Sequence, residues 1–418
     1  MSRHSLDPRS ARSIAVLCVA GLGPVGLSGC LGSGDGGGGG GGGSKGPIKI
    51  GVLAEQQEFL AAVGSQAIKG AKFATAEINA GGGVNGRKLE LLVEDIPDPG
   101  VGVQKATKLI TRDRVDALTG VISSATGLAV ADVANRSKKL YVNFGWNSNE
   151  GRTTKCNKYT FHVEGNNTMY VGAVASAFKK QFSGRGTKVY FITSDYAYGH
   201  DLLKVSRSFI NQQGARVVGS SLAPTGTSDM STYITEMRKA KPDVVWVNLA
   251  GGDITTFLKQ YKGEFGAPFP VIGAGMDEVQ AWSVGKNMTG TWPGTYYFTI
   301  NTPGNKKFVQ EVQSKQGQHP DNQFYQAYIA VKVMADAMKA TKSTDSTKLA
   351  DYLASGVKFD VMKQHPATFD KRNHQLVQDM YALRTLGNTK TPFKVTQTVP
   401  GQELSIPASQ VKCNVGAP

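Results

Sequence analysis

Six histidines, His4, His162, His200, His319, His365 and His374, are the first candidates for metal or proton chemistry. They form no H-x-x-x-H or H-E-x-x-H arrangement, so no helix face presents a pair of zinc ligands. No G-x-S-x-G elbow lifts a serine between a strand and a helix. None of the four cysteines, Cys18, Cys30, Cys156 and Cys413, stands in a C-x-x-C pair for zinc or thiol exchange. The run Gly81-Gly-Gly-Val-Asn-Gly86-Arg-Lys88 imitates the spacing of a phosphate-binding loop. That loop needs Lys then Ser/Thr opening a helix, whereas this run leaves a helix and enters a strand, so its glycines read as a helix C-cap and turn. Catalysis has no candidate, and neither a metal nor a cofactor is expected.

The elements that position the remaining residues begin with the composition. At 418 residues, with 40% hydrophobic, 8% aromatic and 19% charged residues, the chain has apolar material for one or two globular domains. A disordered, collagenous or multi-span membrane chain is excluded. Lys and Arg (47) exceed Asp and Glu (32) by 15, but they are scattered without a tract of five and without interleaved aromatics. Solvated surface charge, steering an anionic ligand or meeting anionic membrane, accounts for them better than nucleic acid does.

Arg3, His4, Arg9 and Arg12 precede an apolar run from Ile14 to Gly23 that is too short to span a bilayer. It ends in Leu27-Ser28-Gly29-Cys30, which is similar to a bacterial lipobox. Residues 1–29 are therefore expected to be a removed signal peptide and Cys30 the lipidated first residue. Acyl chains at roughly 0.8 kcal/mol per buried CH₂ would hold the protein on a membrane of the periplasm or cell surface. Gly36 to Gly43 is unbroken glycine, so 30–46 reads as a flexible tether and the folded part starts near Pro47. An exported protein meets no chromosome, so nucleic acid is not expected as a partner.

From Ile48 onward, β-branched runs alternate with helical windows. Strands are expected at 48–53, 88–94, 116–121, 139–143, 188–193, 215–219, 243–248 and 269–273. Helices are expected at 64–80, 103–112, 129–134, 168–182, 200–212, 230–239, 254–264 and 278–284. Helical windows near 305–316, 321–340 and 347–354 then precede an alternating run, 378–384, that suggests edge strands. The repeated strand–helix beat predicts two α/β halves, each a doubly wound parallel sheet. Ligands of such sheets bind at the carboxyl ends of the strands, so the crevice between the halves is the expected site.

The stretch Ile50-Gly-Val-Leu53, Gly70-Ala-Lys-Phe-Ala-Thr-Ala-Glu-Ile-Asn-Ala-Gly-Gly-Gly-Val-Asn-Gly-Arg-Lys-Leu-Glu-Leu91, Glu94-Asp95, Asp98-Pro99 and Lys108-Leu-Ile110 closely resembles the leucine/isoleucine/valine-type periplasmic binding proteins. Further similarity lies in Gly120-Val-Ile-Ser-Ser124, Asp195-Tyr-Ala-Tyr-Gly199, Lys241-Pro-Asp-Val-Val245 and Asn301-Thr-Pro303, covering about 47 to 385. The resemblance implies the substrate-binding component of an ABC importer for branched-chain amino acids, amides, urea or related small molecules. It implies a type I fold of two lobes joined by three hinge crossovers, placed near 163, 298 and 362. Lobe 1 is then 47–163 plus 299–362, and lobe 2 is 164–298 plus 363–418 with the C-terminal tail. A monomer is expected, closing on a small-molecule ligand and handing it to an ABC permease and its ATPase.

By the same resemblance, a hydroxyl after the third strand and backbone groups after the fourth hold a ligand carboxylate. Those positions are Ser123 and Ser124, and Trp146, Asn147 and Ser148. Helix N-terminal amides suit an anion, although Ser124 also fits a helix N-cap. Trp146 would wall the pocket, and Tyr198, with Tyr196 beside it, would cover the ligand from the second lobe. Asp277 would pair with a ligand ammonium, its other role being N-cap of the 278–284 helix. A tyrosine pair of the family is replaced by Ala250-Gly251-Gly252, which flattens that wall. Cys156 and Cys413, left alone in an exported chain, are expected to form one disulfide pinning the tail. The alternatives are a sensor subunit for a signalling partner and an exported α/β hydrolase, for which no nucleophile and base are found.

Overall fold

The computed structural model describes residues 46–182, 186–387 and 390–416. The expected signal peptide, the lipidation site Cys30 and all of the tether but Gly46 lie outside the described residues. The first half runs β1 (Ile48–Ala54), α1 (Ala61–Ala80), β2 (Leu89–Asp95), α2 (Pro99–Thr111), β3 (Ala117–Gly120), α3 (Ser124–Arg136), β4 (Tyr141–Asn143), α4 (Glu150–Thr153) and β5 (Thr160–His162). Its strands make a five-stranded parallel sheet in the order β2-β1-β3-β4-β5, so the chain winds outward on both sides of β1 and β3.

The chain then passes to α5 (Asn167–Gln181), β6 (Lys188–Ser194), α6 (Ala197–Gln212), β7 (Arg216–Ala223), α7 (Ser231–Ala240), β8 (Val244–Asn248), α8 (Gly251–Gly263), β9 (Val271–Gly273), α9 (Glu278–Val284) and β10 (Thr291–Gly294). It returns as α10 (Pro303–Gln316), α11 (Asn322–Thr341) and α12 (Ser346–Leu353), and ends with β11 (Thr368–Phe369), β12 (Leu376–Val377), β13 (Met380–Thr385) and β14 (Phe393–Val399). The second sheet has seven strands in the order β14-β13-β10-β9-β8-β6-β7, parallel from β7 to β10 and antiparallel at β13 and β14.

Local signals fix the helix starts. Asp98 Oδ1 accepts from Val101 N–H at 2.9 Å ahead of Pro99, and Thr302 Oγ1 accepts from Asn305 N–H at 3.1 Å ahead of Pro303. Asn166, Asp321 and Asp345 cap α5, α11 and α12 in the same way. Each cap satisfies an amide that the helix itself cannot, and proline at the first helical turn gives up no bond.

Two of the differences from the sequence expectation concern strands of the second sheet. The run 378–384 is not an edge: β13 lies between β10 and β14, and Met380 to Leu383 are buried. The alternating Phe393–Val399 covers it and takes the edge in its place. The expected strand 269–273 begins only at Val271, because Pro270 has no N–H to donate, although its carbonyl still accepts from Val245 N–H at 2.9 Å.

The returning helices pack on the first half. Phe73 of α1 sits against Phe324 and Tyr328 of α11 with ring centroids 5.7 and 6.1 Å apart. Here α1 comes so near that a Cβ on Gly70 would lie 1.9 Å from the Phe324 carbonyl oxygen. Three chain passages thus join two lobes, one built on each sheet. Cys156 and Cys413 are disulfide-bonded with Cα atoms 5.6 Å apart, fastening the C-terminal tail ahead of β5. Because the obstacle at Gly70 is backbone, Gly70→Ala is expected to lower unfolding free energy by about 2–3 kcal/mol, measured by urea denaturation.

Candidate functional site

Between the carboxyl ends of the two sheets lies a cavity of about 40 Å³. Larger hollows, of about 480 Å³ beside α1, α10 and α11 and about 840 Å³ beside the start of β1, lie away from this seam. Another of about 580 Å³ runs between α5, α6 and the tail. Only the seam gathers loops from the carboxyl ends of β3, β4, β6, β8 and β9, where ligands of open α/β sheets are held.

Its apolar wall is Leu60, Val63 and Ile122 of the first lobe, faced by Tyr170, Tyr196 and Tyr198 of the second. Tyr196 spans the seam with its ring 5.9 Å from Phe59 and 5.8 Å from Tyr198. Gly251 has φ +58°, and a Cβ there would stand 2.2 Å from the Phe59 carbonyl oxygen, so glycine lets the lobes meet.

The polar wall is Asp277, Gln280, Gln323 and Asn147. Asp277 caps α9, and its N–H donates to Gln280 Oε1 at 2.6 Å. Burial, followed by the nearby Asp321 and Glu164, drives the Asp277 carboxyl well above the usual carboxylate range. Burial likewise raises Glu278, and brings Asp321 up to about 7. The Tyr198 hydroxyl and Gln323 Oε1 are buried without a hydrogen-bond partner among the described residues. A polar atom held dry and unpaired costs on the order of 1–3 kcal/mol, so such atoms mark where a bound molecule supplies the missing partner.

Glu164 stands beside this wall at the first crossover. Its Oε1 accepts from Gly165 N–H, Tyr170 OH and Thr295 Oγ1, and its Oε2 from Asn322 Nδ2 and Gln323 Nε2. Burial outweighs these donors and raises its pKa. Lys363, between α12 and β11, donates to the Thr295 and Asp379 carbonyls and to Gln378 Oε1, while burial brings its own pKa down to about 7.

The structure sorts the expected site residues. Tyr196, Tyr198, Asn147 and Asp277 line the cavity together. Trp146 does not: it is fully buried in the first lobe's core, donating from Nε1 to Tyr141 OH at 3.0 Å with Arg152 over its ring. Ser124 does not line the cavity: its Oγ accepts from Asn147 N–H and Ser148 N–H at 3.3 and 3.2 Å. Ser123 N–H, with Ile122 N–H, donates to Glu55, each at 2.9 Å. Burial raises the Glu55 carboxyl to about 7 against those two bonds. Glu55, Tyr170, Gln323 and Glu164 escaped the sequence reading. Only Glu55 left a signal there, a lone acid directly after an apolar strand.

Two α/β lobes with a residue-lined seam at their carboxyl edges define a two-lobed solute-binding protein. The family model described as periplasmic binding protein matches residues 47–390, and the chain belongs to that family. Its members capture solutes and are not enzymes. The chain is 26% identical over 323 residues to Leu/Ile/Val-binding protein homolog 7 of Brucella abortus, covering 74% of this chain and 81% of that protein. A periplasmic binding protein from Burkholderia mallei superposes with TM-score 0.80 at 25% identity, over 88% of this chain and 98% of its own. A solute-binding protein of an ABC transporter from Rhodopseudomonas palustris, solved with 3,4-dihydroxybenzoic acid, superposes with TM-score 0.77 at 22% identity, over 85% and 98% of the two chains.

Because the raised Asp277 carboxyl binds its proton more tightly folded than unfolded, its contribution is greatest below the ordinary carboxyl pKa and is lost as pH rises. Asp277→Asn is therefore expected to be more stable than the wild type at pH 8, with the gap closing towards pH 4, in paired thermal melts.

Proposed function

We propose that this chain is the extracytoplasmic capture component of an ABC importer, taking one small solute of amino-acid or amide size between its lobes by hinge closure. The convergence of unpartnered Tyr198 OH and Gln323 Oε1 with Asp277 on one cavity carries the reading. Contacts divided between two lobes exist together only when both close, so a solute that makes them shifts the open–closed balance by its differential affinity. The closed shape is what a permease and its ATPase would engage.

The anchor belongs to the same proposal. The lipobox-like Leu27-Ser-Gly-Cys30 supports a lipid on Cys30, and no helix among the described residues is long and apolar enough to cross a membrane. The solutes named for the relatives, a branched-chain amino acid type and a dihydroxybenzoate, bracket the size expected here. A protein acting alone at the membrane surface, as a monomer, suffices for this role.

A thermal-shift screen over amino acids, amides, amines and aromatic acids tests the capture step, because a ligand of the native state alone stabilises by about 2.7 kcal/mol at a hundredfold excess over Kd. At least one compound is expected to raise the midpoint and to shrink the radius of gyration in small-angle scattering. In Gly251→Ala the added methyl would stand 2.2 Å from the Phe59 carbonyl oxygen of the other lobe, at a backbone φ of +58° that itself strains alanine. That clash, about 1–3 kcal/mol, is expected to weaken the same compound roughly 10- to 100-fold and to abolish the shrinkage.

A further inference from the structure

The cleft is furnished for one sign of charge. Asp277 is the sole charged residue among the described residues lining the cavity. Glu164, Glu278 and Asp321 stand behind it, close enough that Asp277 and Asp321 act on Glu278, and Asp321 and Glu164 on Asp277. The buried cations nearby are already engaged and do not line it. Arg152 donates to Gln375 Oε1 and to the carbonyls of Trp146, Ser148 and Glu164, and Lys363 is held at the hinge.

The groups expected to receive a carboxylate are satisfied from within the chain. The side chain of Glu55 occupies the Ile122 and Ser123 amides, and the Ser124 hydroxyl takes the Asn147 and Ser148 amides. An incoming carboxylate would meet Glu55 in its place, with no cation to offset it, and like charges that close disfavour one another. A cationic nitrogen meets the reverse. Tyr170, Tyr196 and Tyr198 present aromatic rings to the same cavity. The Asp277 carboxyl, held neutral by burial, gives up its proton beside a cation and becomes its counter-charge. Gln323 Oε1 and Tyr198 OH are unpartnered though each residue is only 3% exposed. Ring faces and a carboxyl together hold an ammonium group.

We propose that the cleft selects a small organic cation, an ammonium head on a short apolar body without a carboxylate, with the head held by Asp277, Gln323 and Tyr198. This narrows the capture role proposed above and rests on it.

Three probes sharing one branched apolar body separate the charges: isoamylamine carries only the ammonium, isovalerate only the carboxylate, and leucine both. In calorimetric titration of the purified full-length protein, isoamylamine is expected to bind at least tenfold tighter than leucine, and isovalerate to give no measurable binding. Glu55→Ala, which frees the Ile122 and Ser123 amides, is expected to shrink the isoamylamine-to-leucine ratio at least tenfold. The wild-type ranking decides the matter even if that variant does not fold. Leucine or isovalerate binding as tightly as isoamylamine, or no isoamylamine binding, overturns this inference. The capture role still stands if another compound binds with compaction, and falls only if none in the wider screen does.

Discussion

A single carboxyl group, Glu164, ties the molecule's moving parts together. It sits at the first passage between lobes and accepts from Thr295 at the second, from Tyr170 on the second lobe's first helix, and from Asn322 and Gln323 on the first lobe's α11. Lys363 joins the arrangement through the Thr295 carbonyl and bonds Gln378 and Asp379 just where the chain enters β13. Buried polar groups of this kind are costly when partly satisfied and rigid when fully satisfied. Glu164 accepts from both lobes at once, from Tyr170 of one and from Asn322 and Gln323 of the other. Gln323 connects this junction to the cavity wall, since its amide nitrogen serves Glu164 while its oxygen is the unpartnered atom.

Across the seam the lobes touch through small contacts. Phe59 meets Tyr196 edge-on and Gly251 at its backbone. Asn322 N–H reaches Glu278 Oε2 at 2.8 Å, and Asn149 N–H reaches Asp201 Oδ2 at 2.8 Å. Such bonds are worth about 1 kcal/mol each net of water, which is the scale that the proposed ligand-driven closure requires.

The alternation of apolar strands with helical windows made the two sheets legible, because parallel strands buried on both faces read as unbroken apolar runs: Val244–Asn248 is buried at every position. The second strand of the first half and the glycine-rich turn before it were equally plain. Short strands left less trace. Thr160–His162 has three residues, and Thr291–Gly294 contains Pro293, so periodicity had too little length to act on. The site was legible as loops but not as directions. Tyr196, Tyr198, Asn147 and Asp277 could be placed at strand ends through the family resemblance. That Trp146 turns under the sheet depends on Gly127 and Gly151, whose missing side chains leave room for its ring, a contact between distant turns. That Ser124 spends its hydroxyl on Asn147 and Ser148, and that Glu55 fills the neighbouring amides, are likewise choices among partners far apart in sequence.

The disulfide adds a constraint on how the lobes can part. Leu404 is buried in the second lobe's core against α5, whereas Cys413, nine positions on, is bonded to Cys156 just ahead of β5 in the first lobe. Lys412 and Cys413 also donate their amides to the Thr153 carbonyl, so the strap is pinned by hydrogen bonds as well as by sulfur. Nine residues extend at most about 30 Å, and the strap already runs beside α4, α5 and α6. A rotation that opened the seam by swinging the lobes apart on the strap's side would have to pull Leu404 from its core. One that pivots about the strap and the three passages leaves Leu404 and Cys413 where they are. Under the proposed hinge closure, the covalent link would thus restrict the axis of motion together with the three passages.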